Sequence, residues 1–207
     1  MRKVLVVIVL TISMFAAAGA QQGGTFTGTM GIGLTAAQGD FADDVIGFSA
    51  GSGFGLEGGL NYYILRGVSI GGFINLMRFG STYPTDQGRL NFSYSQIGGQ
   101  VKLNLFGISD GVVSVAGGGG IFTPSAHYYI PDNSYDVAGD SSGTFFFGGL
   151  GISSSTDRNV IYEFEVRYNI ARAGYTLETI ESNVWDFIYA GIKVSFASKG
   201  KGAPPRY

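Results

Sequence analysis

The chain has 207 residues, of which 45% are hydrophobic and only 14% are charged, and its formal net charge is −2. It contains 35 glycines, 16 phenylalanines and 12 tyrosines but no cysteine. The absence of cysteine excludes a disulfide framework and a lipoprotein attachment site.

The N-terminus has the pattern of a secretory signal peptide. Met1-Arg2-Lys3 is basic, an apolar run extends from Val4 to Ala18, and Ala18-Gly19-Ala20 is a small-x-small cleavage site. We therefore expect residues 1–20 to be removed. An uncleaved anchor is the alternative, although the run is short for a membrane-spanning helix.

The remainder of the chain contains eight segments in which apolar and polar residues alternate, as they do along β-strands. The segments are Thr25–Thr35, Gly53–Ile64, Val68–Met77, Phe92–Leu105, Val112–Phe122, Thr144–Ser153, Val160–Ile170 and one that contains Tyr189–Phe196. Glycines obscure the phase of the fifth and sixth segments. Phe92 and Tyr94 are out of phase with the rest of the fourth segment, which suggests a β-bulge near Ser95.

The connections between these segments are alternately long and short, as in bacterial outer-membrane barrels with short periplasmic turns. The long connections are residues 36–52, 79–91, 123–143 and 171–184. Acidic residues outnumber basic residues on this side, which predicts long, acidic extracellular loops. An acidic rim would suit lipopolysaccharide bridged by divalent cations, although ordinary solvated loops explain the same composition.

The charged residues of the segments indicate which face lies inside. All six of them fall on the polar face: Glu57, Lys102, Glu163, Glu165, Arg167 and Lys193. A charge facing the bilayer midplane would cost about 2–4 kcal/mol, so the apolar face is expected to face lipid. The sequence therefore predicts an all-β fold, an eight-stranded antiparallel up-and-down transmembrane β-barrel over residues 21–196. A soluble barrel with an apolar interior is the alternative.

The six charged residues are then expected to form a cluster in a narrow lumen, where acids and bases compensate each other. Glu57 with Lys102, and Glu163 or Glu165 with Arg167 or Lys193, are the candidate pairs. A structural plug is the preferred role and a gate the alternative, because an eight-stranded lumen is normally filled by side chains.

Aromatic residues near the strand ends fit the two interfacial girdles of a membrane barrel. Trp185 is expected in the girdle on the loop side and Phe196 in the periplasmic one, with Tyr62, Phe106 and Tyr168 near other strand ends.

The stretch YAGIKVSF resembles the C-terminal assembly signal of outer-membrane barrels, with Tyr189, Gly191, Val194 and Phe196 at the signal positions. The resemblance implies recognition by the barrel-assembly machinery. Residues 197–207 follow it and read as a disordered basic periplasmic tail. The mature chain resembles the small eight-stranded outer-membrane barrels of the OmpA transmembrane domain and OmpX type.

Catalysis is not expected. The single histidine, His127, has Ser125, Asp132 and Ser134 nearby in sequence, but a histidine among tyrosines in a loop is usually a surface residue. The spacing of Asp40, Asp43 and Asp44 does not match a calcium loop.

We expect a monomer in the bacterial outer membrane that contacts lipid and lipopolysaccharide, with no cofactor, metal or nucleic acid. Its expected role is envelope structure or surface interaction, and a narrow channel for small solutes is the alternative.

Overall fold

The computed structural model describes residues 24–42, 50–65, 67–81, 89–108, 111–130, 133–138, 142–157, 160–177 and 180–197. The predicted signal peptide and residues 198–207 of the predicted tail lie outside these ranges. Within the described ranges, no helix is long and apolar enough to cross a membrane.

Antiparallel β-strands make up almost all of the described chain. They are β1 (Thr25–Ala37), β2 (Ala50–Leu65), β3 (Val68–Ser81), β4 (Arg89–Ile108), β5 (Gly111–Ile130), β6 (Asn133–Ala138), β7 (Gly143–Asp157), β8 (Val160–Leu177), β9 (Ile180–Val184) and β10 (Phe187–Ala197). One 3₁₀ turn, Gly39–Phe41, follows β1.

The sheet closes on itself because β1 pairs with β10, from Thr27 opposite Ala197 to Ala37 opposite Phe187. Each of the eight barrel strands, β1–β5, β7, β8 and β10, pairs with the next one along the chain. Closure leaves no free edge among the barrel strands. The predicted eight-stranded antiparallel up-and-down barrel is confirmed.

Side chains alternate between the two faces as predicted, and the apolar face is outside. Met30, Leu34 and Leu60 are each at least 67% exposed on the outer surface. Glu165, Arg167 and Lys193 are each no more than 3% exposed in the interior. The soluble-barrel alternative, with its apolar face inside, is therefore wrong.

The β-bulge expected near Ser95 is absent. Pairing between β3 and β4 runs without a break from Val68 opposite Leu103 to Phe79 opposite Phe92. Phe92 and Tyr94 are buried on the inner face, in phase with the buried polar residue Gln96 that follows them on the same strand. The prediction was wrong because it assumed that every inward residue would be polar.

The glycine-rich strands also have a definite phase. On β5, Ser114, Ala116 and Phe122 face inward, whereas on β7 the inward residues include Phe145 and Phe147. Their glycines stand opposite one another, for example Gly117 against Gly148. The strand pairing, rather than the local sequence, sets the phase here.

Two of the predicted long loops are partly strand. β5 continues to Ile130 and forms a hairpin with β6, and β8 continues to Leu177 and pairs with β9. The prediction of loops at 123–143 and 171–184 was wrong over these residues. Apolar alternation is required only where one face contacts lipid, so strands beyond that zone leave a weaker sequence signal.

Candidate functional site

The barrel interior contains four side chains in an alternating ring of opposite charges. Lys193 Nζ lies 2.6 Å from Glu57 Oε1 and 2.5 Å from Glu165 Oε2. Arg167 donates through Nη2 to Glu57 Oε2, and its Nε lies 3.1 Å from Glu165 Oε1. Each base thus bridges both acids, and all four side chains are almost completely buried.

A glycine on β1 permits this arrangement. Gly31 stands opposite Glu57 on β2 and opposite Lys193 on β10. A Cβ at Gly31 would lie 2.9 Å from Lys193 Cγ. The missing side chain therefore lets the lysine reach across β1 to the carboxylate on the far strand.

The other two predicted lumen charges, Lys102 and Glu163, form a separate pair. Lys102 Nζ lies 2.5 Å from Glu163 Oε1, and the two side chains are 13% and 8% exposed. The predicted pairing of Glu57 with Lys102 was wrong, since Glu57 binds Arg167 and Lys193 instead. The structure thus places all six predicted residues on the inner face, and we call them the ionic network.

A chain of neutral hydrogen bonds extends toward the end of the barrel where β1 begins and β10 ends. Gln100 donates to Asn61 at 2.8 Å, Asn61 donates to Thr29 at 3.3 Å, and the hydroxyls of Thr29 and Ser195 are 2.8 Å apart. These bonds join four strands across the lumen. The cavity beside them has a volume of about 20 Å³, which is room for about one water molecule.

The opposite half of the lumen is filled by an aromatic layer that the sequence did not predict. Its buried members are Phe41, Phe73, Phe79, Phe92, Tyr94, Phe122, Phe145, Phe147, Trp185 and Phe187. Most neighbouring rings meet edge to face, such as Phe79 with Phe187 at 5.5 Å between centroids. Such geometry adds to the stabilisation gained from burial alone.

The 3₁₀ turn after β1 brings one ring into the mouth of the barrel. Phe41 lies 5.0 Å from Trp185, 5.3 Å from Phe79 and 5.4 Å from Phe92, measured between ring centroids. The backbone N–H of Gln38 donates to the carbonyl of Asp186 at 2.8 Å, which ties the turn to the start of β10.

Trp185 is not in the lipid-facing girdle predicted from the sequence. It is 1% exposed inside the barrel, and its indole N–H donates to the Ala173 carbonyl at 3.1 Å. Trp185 has the same phase as the inward residues Tyr189 and Lys193, so the prediction failed because it placed Trp185 by its aromatic character rather than by its phase. Tyr168 and Phe196, by contrast, lie exposed on the outer face.

Arg167 joins the ionic network to the aromatic layer. Its guanidinium lies 4.5 Å from the Tyr189 ring centroid, 5.2 Å from that of Phe147 and 5.6 Å from that of Phe73. Cation–π attraction to rings is strongest where water is excluded. One side chain is therefore held by carboxylates on one side and by ring faces on the other.

The predicted assembly-signal residues divide between the two faces. Tyr189 is buried, and its side chain covers two glycines. A Cβ at Gly33 would lie 2.6 Å from the Tyr189 ring, and a Cβ at Gly191 would lie 2.4 Å from the Tyr189 hydroxyl oxygen. Gly33 and Gly191 are paired across the seam between β1 and β10. Val194 and Phe196 belong to the outer face, where Phe196 is exposed.

The candidate chemical residues lie largely outside the described side chains. The backbone of His127 pairs with Asn91 and Asp136 on the neighbouring strands, but its side chain is not described, and neither are Asp43, Asp44 and Asp132. Among the described residues there is no group of three potential metal ligands.

No protein-family model and no curated protein matches the chain. Solved structures with a similar fold include Neisserial surface protein A, which is 15% identical with a TM-score of 0.54, covering 84% of this chain and 98% of that protein. Ail, the attachment invasion locus protein of Yersinia pestis, is 16% identical with a TM-score of 0.50, covering 84% of this chain and all of Ail. The chain thus has the fold of small eight-stranded outer-membrane barrels, which fits the OmpA and OmpX resemblance at that level.

Proposed function

We propose that the protein spans the bacterial outer membrane as a monomeric, non-conducting barrel. Its role is in envelope structure or in surface interaction through the segments beyond the lipid. The observation that carries this proposal is the filling of the lumen by two successive layers, the ionic network and the aromatic layer.

The outer surface supports the membrane position. Large apolar side chains cover all eight barrel strands, as Leu76, Ile97, Ile121 and Leu150 illustrate. Exposure of so large a continuous apolar surface to water is energetically unfavourable, whereas contact with the acyl chains of a membrane is favourable.

The interior supports a plug rather than a gate or a channel. In the ring of Glu57, Arg167, Glu165 and Lys193, each acid contacts both bases, so opening it would separate four ion pairs between almost completely buried side chains. Breaking buried pairs without replacement is strongly unfavourable. A polar solute would also have to displace close-packed rings in the aromatic layer.

Planar-bilayer recording of the refolded protein tests the plug. We expect no stepwise conductance at moderate voltage, with a known porin in the same membranes as the positive control. Stable unitary conductance from the folded barrel would contradict the plug and support the alternative of a narrow channel for small solutes.

A loop replacement in cells tests the surface role. Residues 125–140, which include the β5–β6 hairpin, are replaced by a short glycine-rich turn. We expect that this variant still assembles but shows the same envelope or surface phenotype as a deletion strain. A phenotype equal to that of the intact protein would contradict a role for this segment.

We further propose that Val194 and Phe196 are read by the barrel-assembly machinery. Because Phe196 is exposed on the outer face, F196A removes little internal packing. It should lower the amount of assembled protein in cells while spontaneous refolding into vesicles continues. Equal losses in both assays would indicate a purely structural role.

A further inference from the structure

A groove on the outer wall has a chemistry unlike that of the rest of the lipid-facing surface. It has a volume of about 510 Å³ and lies across β2, β3, β4 and β5. Its outward-facing lining residues include Leu56, Leu76, Arg78, Ser93, Ser95 and Thr123.

Strand pairing arranges these residues in rows around the barrel. In one row Phe54 is opposite Arg78, and Arg78 is opposite Ser93. In the next row, which is nearer the turn between β2 and β3, Leu76 is opposite Ser95 and Ser95 is opposite Thr123.

The row after that is apolar, with Ile74 opposite Ile97 and Ile97 opposite Ile121. Polarity therefore falls from a guanidinium to hydroxyls to branched hydrocarbons within a few residues. This order matches a lipid whose headgroup is polar and whose acyl chains continue toward the bilayer centre.

The charge of the groove is also distinctive. Arg78 is exposed on the outer face. Within the described residues it has no carboxylate partner, and the groove lining contains no carboxylate. Arg172 on the outer face of β8 differs, because it donates to both carboxylate oxygens of Asp186. A guanidinium beside hydroxyl donors is a recognised arrangement for binding phosphate.

We propose that this groove is a binding site for a phosphorylated lipid of the outer leaflet, with the phosphate on Arg78, Ser93 and Ser95. The acyl chains then lie over Leu56, Leu76 and the isoleucine row. The inference rests on the proposed membrane position of the barrel, and it adds a specific lipid site to an outer surface that is mostly apolar.

Native mass spectrometry of the detergent-solubilised barrel tests the proposal, with diphosphoryl lipid A and phosphatidylcholine as the probes. We expect one lipid A molecule to be retained in preference to phosphatidylcholine. R78Q should weaken lipid A binding about tenfold, the loss expected for one charge-assisted contact. S93A/S95A should weaken it about threefold per hydroxyl removed.

R172Q is the matched control, because it removes the same side chain from the same face at a site already paired with an acid. Its lipid A affinity should equal that of the unmodified protein. Equal losses in R78Q and R172Q, equal retention of the two lipids, or displacement of lipid A by millimolar inorganic phosphate would overturn the proposal. Heat-modifiable gel migration on the same samples reports folding, and their conductance tests the plug independently.

Discussion

The two halves of the barrel interior are filled by different chemistry. In the ionic network, charge compensation and hydrogen bonding hold each side chain, as with Lys193 between Glu57 and Glu165. In the aromatic layer, volume and ring orientation hold Phe79 among Phe41, Tyr94 and Phe187. Loss of a side chain therefore leaves an uncompensated charge in one half and a cavity in the other.

The largest expected effect is at the junction of the two halves. R167M leaves Glu57 and Glu165 with only Lys193 as a partner and removes three cation–π contacts. Because it breaks a buried network from one side, it should lower the free energy of unfolding by about 4 kcal/mol. Urea-dependent unfolding in lipid vesicles measures the change.

R172M is the control for that experiment, because the Arg172 side chain is 44% exposed in its pair with Asp186. An exposed pair contributes less than about 1 kcal/mol. Similar losses in both variants would mean that burial of the network has no energetic consequence.

Within the aromatic layer, F79A should lower the free energy of unfolding by about 3 kcal/mol, because the cavity left among three rings cannot close completely. F146A, on the outer face of β7 where Phe146 is exposed, should cost clearly less because lipid can fill the space. The same unfolding assay compares the two, and an equal cost would contradict close packing inside the barrel.

A smaller change in stability is expected at the seam between β1 and β10, where two glycine-to-alanine substitutions should differ in their effects. In G33A the new Cβ would lie 2.6 Å from the Tyr189 ring and 2.7 Å from the Ala190 carbonyl oxygen. Overpacking of this kind should cost about 2 kcal/mol.

G58A is the matched control, because nothing lies within 4 Å of a Cβ at Gly58. It should change stability by less than about 0.5 kcal/mol, as is usual for a surface position. If both variants behaved alike, the ring of Tyr189 would not occupy the space over Gly33.

The smallest expected effect is in the less deeply buried pair of Lys102 and Glu163. A double-mutant cycle with K102M and E163Q should give a coupling free energy of about 1 kcal/mol, well below the loss in R167M. A coupling as large as the loss in R167M would remove the distinction between the four-membered ring and the separate pair.

The difference between the two halves also explains what the sequence could predict. Strands such as β8 could be read directly, because apolar Phe164 and Val166 alternate with charged Glu163, Glu165 and Arg167. The upper part of β4 was misread as a bulge, because inward Phe92 and Tyr94 look like lipid-facing residues to a pattern based on polarity alone. The alternation of polar and apolar residues therefore predicted the inward residues of the ionic half, but it could not identify the inward aromatic residues of the other half.

Partner choice inside the lumen was also beyond the sequence. Lys102 pairs with Glu163 and Glu57 pairs with Lys193, rather than with each other as expected. Contacts across a closed barrel depend on the stagger of all the intervening strands. A one-residue change in register would bring other side chains together. Gly31 was the one indication in the sequence of the pairing between Lys193 and Glu57. Because Gly31 has no side chain, the long side chain of Lys193 can cross β1 to reach Glu57.

The most direct test of a barrel with its apolar face outside uses spin labels on single introduced cysteines. The labelling is straightforward because the chain contains no cysteine. Labels at Leu150 and Ile192, both exposed on the outer face, are measured in lipid vesicles. We expect high collision rates with oxygen and low rates with a water-soluble nickel chelate at both positions. High nickel accessibility at both, in protein shown to be folded, would contradict a lipid-facing exterior.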